Sequence, residues 1–393
     1  MLVRIVATAL AGLVLLVATS ACADDAPPPN DSLGRMLFWT PAQQEIGYRT
    51  VETIFPTRII KAGANAYPIA SASGAFDVSY DFKGLKWTTD TFMKENRLAG
   101  LLIIKDGGIV LERYGLGRAA RDRWMSFSVG KSVTSTLIGA AIKDGKIKSL
   151  DALVTDYLPG LRGSAYEDVT IRNLLTMTSG VKWNEDYADP ASDVALFAQG
   201  KPGPDGENPI VAYMAKLPRE AAPGTKFVYK TGESDLIGVL LERATGKHPA
   251  DYLAQKIWSK FGMERDAVWM LDRAGEELGG CCISMTLRDY GRFGLFIMNG
   301  GVAGGEQVVP TDFLAQATRS QVKSDFGNYG YGFQWWIHPD GAYEASGIFG
   351  QSIYINPAEK LIIVTNSAWA QAVGFAPRTI QDAYVDAVVK ALH

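Results

Sequence analysis

The sequence predicts a mixed α/β (α+β) fold, with one antiparallel sheet built from both ends of the chain, helices flanking it, and an inserted helical lobe. Three observations carry this. β-Branched and aromatic runs bounded by turn residues lie near residue 100 and again beyond residue 330. Between them, apolar residues recur at helical spacing, and a last helical period of about 378–392 closes the chain. With 393 residues, 47% hydrophobic composition and a net charge of −3, the chain is globular and long enough for a large core. Near-neutral charge without a basic run excludes nucleic acid as a partner class.

The N-terminus is a targeting segment. Arg4 gives a positive start, an apolar run follows from Ile5 to Ala18, and small residues come next at Thr19-Ser20-Ala21-Cys22-Ala23. Residues 1–23 therefore read as a secretory signal peptide, which predicts an exported protein, periplasmic, secreted or lipid-anchored to the envelope. Two exits are encoded. Ala21-Cys22-Ala23 fits a small-residue cleavage site, while Ser20-Ala21-Cys22 resembles the end of a bacterial lipobox, with Thr19 where an aliphatic residue is usual. Cys22 is thus a candidate for lipidation and membrane anchoring. Residues 24–40 are polar and proline-rich, a leader expected to be extended and weakly packed. Residues 41–393 form the remaining domain, with an α/β lobe at about 41–133 and 270–393 and a helical lobe at about 134–269.

Within that domain, a segment through Arg58-Ile59-Ile60 and Tyr67-Pro68-Ile69 is expected to wrap the body. Leu101–Ile104 and Ile109–Leu111 flank Asp106-Gly107-Gly108, a connection suited to a tight hairpin turn. Val133, Leu137, Ile138, Ala141 and Ile142 mark a long helix opening near Ser128 and ending at Asp144-Gly145. Thr170 starts another helix through Leu175, ended by Ser179-Gly180. A long loop then runs from Trp183 to Pro190, of the length that often carries function. Pro223-Gly224-Thr225 turns the chain into Phe227-Val228-Tyr229, and Leu236, Val239, Leu240 and Leu241 mark a helix ending at Thr245-Gly246. Strands are expected at Tyr331–Ile337, Ser352–Asn356 and Leu361–Thr365. Cys281 and Cys282 are adjacent, a spacing that rarely meets disulfide geometry, so no cross-link is expected. The three histidines, at 248, 338 and 393, have no Cys, Asp or Glu at metal-ligand spacing, and no metal is expected.

Ser128 and Lys131 are the candidate chemistry. Three residues apart at a helix start, they lie one turn apart on the same side. A serine becomes nucleophilic when a neighbouring base takes its proton, and a buried lysine with a lowered pKa can be that base. The same four-residue pattern also fits a capping serine beside a solvated lysine, and it recurs at Ser179–Lys182 and Ser320–Lys323. Of the three, only Ser128 opens a long apolar helix. Rival motifs fail on inspection. Gly130-Lys131-Ser132 mimics the end of a phosphate loop, but Met125 stands where its first glycine is needed. The chain contains neither G-x-S-x-G nor H-E-x-x-H.

With several blocks in order, the chain resembles the serine β-lactamase and penicillin-binding-protein superfamily, in its class C and esterase branch. Ser128-Val-Gly-Lys131 is similar to that family's nucleophile and base. Leu150-Asp151 with Tyr157-Leu-Pro159, Ile171–Leu175 through Gly180, Pro223-Gly-Thr225 with Tyr229, Thr286–Asp289 with Arg292-Phe-Gly294, and Asn299-Gly-Gly301 are similar to its other blocks. Within it, Asn184-Glu-Asp-Tyr187 with Asp189-Pro-Ala-Ser192, and Gly347-Ile-Phe-Gly-Gln351, resemble the 6-aminohexanoate-dimer hydrolases. The resemblance implies a β-lactamase/transpeptidase-like fold, an acyl-enzyme mechanism and no cofactor. It implies Ser128 as nucleophile and Lys131 as base, with Tyr229 sharing proton transfer and made more acidic by the cationic lysine. It further implies an oxyanion hole from the amides of Ser128 and Ile348, and Tyr187 as donor to an amide nitrogen. Two departures stand out. Tyr229-Lys230-Thr231 has Thr231 where the family has Asn. Ala345-Ser346-Gly347 lacks the strand cation that helps bind a substrate carboxylate. The expected substrate is a small neutral ester or linear amide. The alternatives are a β-lactamase or D-alanyl-D-alanine carboxypeptidase, and a non-catalytic module that captures an acyl group or partner.

Overall fold

The computed structural model describes residues 33–71 and 76–393. The expected signal peptide, Cys22 and most of the proline-rich leader lie outside the described residues. An eight-stranded, wholly antiparallel sheet runs in the spatial order Val322–Lys323, Gly330–Tyr331, Trp336–Ile337, Tyr343–Gly347, Gln351–Asn356, Leu361–Ser367, Leu98–Lys105, Gly108–Tyr114. Both chain ends supply it, as the sequence predicts. Its central strands Gln351–Asn356 and Leu361–Ser367 are buried along their whole length, because helices cover both faces. The Val129–Lys143 and Leu287–Met298 helices pack on one face and Phe375–Leu392 on the other.

The hairpin at residues 98–114 forms as expected. Lys105 pairs with Gly108, leaving Asp106 (φ 50°) and Gly107 (φ 80°) as a two-residue turn with both centres left-handed. The last helix starts three residues earlier than expected, at Phe375. Tyr331–Ile337 is not one strand. Gly332 to Trp335 turn the chain between two short strands, and Gln334 (φ 64°) sends its amide to the carbonyls of Leu174 and Leu175 at 3.1 Å. The β-type composition of this run serves packing, and a tertiary hydrogen-bond network overrides its propensity.

The Thr57–Ile60 segment is a strand of a second sheet. Its order is Thr57–Ile60, Ala267–Met270, Ile283–Met285, Trp124–Met125, and its last strand leads directly into Ser128. The residue 129–262 stretch is mainly helical and contains Ile171–Leu175, Pro209–Met214 and Thr231–Thr245. Thr231–Thr245 packs against Val129–Lys143, and Gly246 caps it in the left-handed conformation.

Residues 33–40 differ from the expected loose leader. Leu33–Phe38 is a 3-10 helix, Met36 and Trp39 are buried, and Thr40 forms a capping box with Gln43. Trp39 is seated directly on Gly47, where a Cβ would lie 2.2 Å from the indole. Burial of a Trp and a Met outweighs the leader's polar composition here.

Candidate active site

Ser128 caps the Val129–Lys143 helix and is buried. The residue before it, Phe127, has a positive φ of 45°, a conformation that costs a non-glycine residue on the order of 1–3 kcal/mol. Phe349 (φ 59°), next to Ile348, is strained in the same way. The two rings pack on each other at 5.1 Å and on Tyr48 at 5.0 and 5.8 Å. That aromatic cluster holds both bends and brings Gly347 against Ser128. A Cβ on Gly347 would sit 2.7 Å from the Ser126 carbonyl oxygen and 3.0 Å from the Ser128 amide nitrogen. Glycine is therefore required where the 347–348 turn meets Ser128.

Lys131 is fully buried. Its ammonium donates to Ser128 Oγ at 2.9 Å, Thr231 Oγ1 at 3.0 Å and the Gly280 carbonyl at 2.8 Å. These three acceptors use its full donor capacity. Burial pushes its pKa down to about 8, against the charges of Glu185 and Asp235, which pull it up. Asp235 is buried, its own pKa raised by burial to about 7, and it accepts the Gly280 amide at 2.9 Å. Gly130 lets the helix approach this loop, since a Cβ there would stand 3.1 Å from the Cys281 backbone.

Tyr229 stacks on Trp336 with ring centroids 5.5 Å apart, and the Lys131 ammonium lies 5.1 Å over its ring face. The expected gain in acidity does not appear. Burial pushes the phenol well above its usual pKa and the charge of Glu185 adds to this, while contact with the Ser128 hydroxyl works the other way. The lysine faces the ring, so the opposite-charge effect is outweighed by desolvation. Lys230, the middle residue of Tyr229-Lys230-Thr231, turns away and pairs with buried Glu233 at 3.7 Å.

Glu185 organises the other side of the site, and reasoning from the sequence assigned it no role. Its carboxylate accepts from Trp183 Nε1, from Tyr187 OH at 2.7 Å, from the Thr231 amide at 2.9 Å and from the Thr231 hydroxyl. It sits at the N-terminus of the Thr231–Thr245 helix, where a negative charge is favoured. Thr231 thus accepts from Lys131 and donates to Glu185. Tyr187 is half-buried at the site with its proton given to Glu185, and burial with that charge raises its pKa. The only signal in the sequence was the position of Glu185 two residues before Tyr187 in a long loop.

Cys281 and Cys282 are joined by a disulfide, contrary to expectation. Cys282 takes a left-handed φ of 73° and Cys281 closes a turn on Leu278, which brings neighbouring sulfurs together. Both cysteines line the pocket beside Ser128, with Ile348, Thr231, Tyr187 and Leu278. Away from the site, Glu242, His248 and Glu277 place oxygen and nitrogen atoms within 4.8 Å of one another. Arg58 already pairs with Glu277 at 2.6 Å there, so the cluster is closed by an ion pair. The strand at Ala345-Ser346-Gly347 offers no cation of its own. Arg378, 3.5 Å from Ser346 Oγ, is held by Glu344, Asp382 and Tyr329.

This arrangement can be set beside known proteins. The profile of the family described as β-lactamase matches residues 88–386. The chain belongs to the β-lactamase family. It is 31% identical over 292 residues to a 6-aminohexanoate-dimer hydrolase of Paenarthrobacter ureafaciens, covering 70% of this chain and 74% of that one. A β-lactamase of Pseudomonas fluorescens is 26% identical over 186 residues, 45% of this chain and 48% of the other. In fold, the chain is similar to a Bacillus anthracis protein assigned to the 6-aminohexanoate-dimer hydrolases, with a TM-score of 0.81 and 23% identity. That likeness covers 93% of this chain and 98% of that one. A class C β-lactamase gives a TM-score of 0.57 at 18% identity, covering 76% and 94%. This β-lactamase-family chain is therefore a serine hydrolase of the β-lactamase and penicillin-binding-protein type.

Proposed function

We propose that the protein is an exported amidase or esterase that cleaves a small neutral substrate through an acyl-enzyme on Ser128. The observation that carries this reading is the 2.9 Å hydrogen bond between a buried Lys131, with its lowered pKa, and the Ser128 hydroxyl. In its neutral form Lys131 takes the Ser128 proton as Oγ attacks the carbonyl carbon. The amides of Ser128 and Ile348 receive the oxyanion. Tyr229, protonated at neutral pH, gives its hydrogen to the leaving oxygen or nitrogen as the C–O or C–N bond breaks, and regains a proton from Lys131 as the ammonium moves from the ring face to the phenol oxygen. Water then attacks the acyl carbon, its proton returning through the same pair, and Ser128 leaves with its hydrogen restored. Tyr187 lines the same pocket, which supports it as a hydrogen-bond donor to the nitrogen of an amide substrate once its hydroxyl turns from Glu185. Thr231 would hold Lys131 rather than contact substrate directly.

The 31% identity to a 6-aminohexanoate-dimer hydrolase supports a linear amide as substrate. A β-lactam or D-alanyl-D-alanine substrate carries a carboxylate, and the absence of a free cation at Ala345–Gly347 disfavours it. Export rests on residues 1–23, with Cys22 either lipidated or removed; the mass of the mature N-terminus separates the two. The deciding experiment is kcat/KM for a short p-nitrophenyl ester, its anilide and the linear aminohexanoate dimer, with Ser128→Ala as control. Turnover of the dimer supports the amidase reading, and ester cleavage alone makes the protein an esterase. Turnover that survives Ser128→Ala refutes the mechanism.

A further inference from the structure

Part of the lining of the pocket that holds Ser128 comes from an unexpected part of the chain. Gly34, Met36 and Leu37, on the 3-10 helix within the leader, line it with Val194, Phe197 and Leu278. The segment is fixed from both sides. Trp39, two residues on, is buried against Gly47, Tyr48 and Phe55. At the other end Gly34 meets the backbone of the 193–199 turns so closely that a Cβ would lie 3.1 Å from the Ala195 carbonyl oxygen. Met36 is 4% exposed. A side chain held this way forms a wall of defined position.

The six side chains or backbones of this wall carry no charge and no hydrogen-bonding side-chain group. The charged groups nearest Ser128, Lys131 and Glu185, are engaged with each other through Thr231. The half-open space is about 70 Å³, small beside the roughly 300–1,000 Å³ of clefts that hold drug-sized ligands. We infer that Gly34, Met36 and Leu37 are a specificity element which, with Val194, Phe197 and Leu278, forms a tight slot for one short, unbranched, uncharged alkyl or alkylene chain of the substrate. This inference rests on Ser128 being the nucleophile.

In an apolar pocket one added or missing methylene changes kcat/KM by about 10–200-fold. The test uses the full chain and two ester series. One varies the acyl chain from acetate to octanoate on p-nitrophenol; the other keeps acetate and varies the linear alcohol. Met36→Ala and Leu37→Ala each enlarge the slot. In at least one series, the long-to-short ratio of kcat/KM is expected to rise at least about tenfold in both variants, and the responding series tells which side of the scissile bond the slot holds. Leu37 is only partly buried, so its variant keeps the test available if Met36→Ala fails to fold. Phe38→Ala, 53% exposed on the same segment, is expected to leave the ratios unchanged. Unchanged ratios in a folded Leu37→Ala enzyme, or an equal shift in Phe38→Ala, overturn the inference. A fluorophosphonate probe for active serines is read in parallel. Labelling lost in Ser128→Ala but present in the segment variants keeps the nucleophile assignment intact, and no labelling of the unmutated enzyme refutes that assignment itself.

Discussion

Replacing Glu185 by Gln should move the acid limb of kcat/KM to lower pH while lowering the plateau. With its pKa near 8, about one Lys131 in ten is neutral at pH 7, against about one in three thousand for an ordinary lysine. Activity should therefore rise close to tenfold per pH unit below 8 and level off above it. The Glu185 carboxylate lies across one hydroxyl from the ammonium, roughly 5 Å away, and its charge opposes the effect of burial. At an effective dielectric of about 20 that separation is worth roughly 3 kcal/mol. Solvent at the half-buried carboxylate screens part of this, leaving a shift on the order of one pH unit downward. Asp235, the other carboxylate acting on Lys131, has its own pKa raised in part by Glu185, so it shifts in the same direction. The plateau falls because four donors converge on Glu185 and a Gln amide group, itself a donor, cannot accept from all of them. One orphaned buried donor costs about 1–3 kcal/mol, and the loosened Thr231 no longer fixes Lys131, so roughly a tenfold loss is expected. The assay is p-nitrophenyl ester hydrolysis from pH 5.5 to 10, read at a pH-independent wavelength. An acid limb that stays in place or moves upward would refute Glu185 as the charge that tunes Lys131.

Other outcomes follow from the same geometry. Ser128→Ala and Lys131→Ala should each abolish acylation while circular dichroism and melting stay near those of the unmutated protein; near-normal turnover in Lys131→Ala would remove it as base. Gly347→Ala places a methyl group 3.0 Å from the Ser128 amide and should cost about 10²–10³ in kcat, the scale of losing one oxyanion donor. Reduction of the Cys281–Cys282 disulfide frees the loop whose Gly280 carbonyl accepts from Lys131. Activity after treatment with a phosphine reductant should fall severalfold and return on reoxidation, with a double Cys→Ser variant insensitive to both. Arg378→Met removes the guanidinium that pairs with buried Glu344, leaving it the hydrogen bond with His338, and should destabilise the fold by about 3 kcal/mol, seen as a lower Tm. Glu344 has its pKa depressed by Arg378 and His338 against the effect of burial. The stability it contributes is present above the unfolded carboxylate pKa and is lost as pH falls, so the gap between Arg378→Met and the unmutated protein should narrow in acid.

What the sequence disclosed follows a physical division. Ser128 and Lys131 were legible because one turn of one helix brings them together, and no tertiary information is needed to know that i and i+3 share a face. The hairpin at 106–107 and the glycine stop at 246 were legible for the same reason, each being set by residues in contact along the chain. Glu185 was not. Its function lies in meeting Thr231 46 residues later, and a lone carboxylate in a polar loop looks like any solvated charge. Tyr229 shows the limit most plainly. Its proximity to Lys131 is what the family resemblance implies, yet the sign of its pKa shift depends on whether the cation meets the hydroxyl or the ring face, and on how dry the site is. Both are properties of the packed structure. The cysteine pair and the leader misled in opposite directions, one through a general rule that a left-handed Cys282 evades, the other through a composition that two buried residues, Met36 and Trp39, outweigh.

Several of these departures gather in one place. Met36, Cys281 and the strained Phe127 line the pocket that holds Ser128, and Glu185 is joined to Lys131 through Thr231. Local preference and global structure agree over most of a well-folded chain, and they part where a site demands it. Phe127 and Phe349 would relax if released from Tyr48, and a protonated Lys131 would be better hydrated in water than among three neutral acceptors. The surrounding core holds these groups in arrangements they would not adopt alone, and that constraint leaves a lysine with a pKa near 8 against a serine hydroxyl. On the proposed mechanism, reactivity at Ser128 is a property of the whole pocket, including the cysteine loop and the Leu33–Phe38 turn, rather than of the four-residue motif that reveals its position.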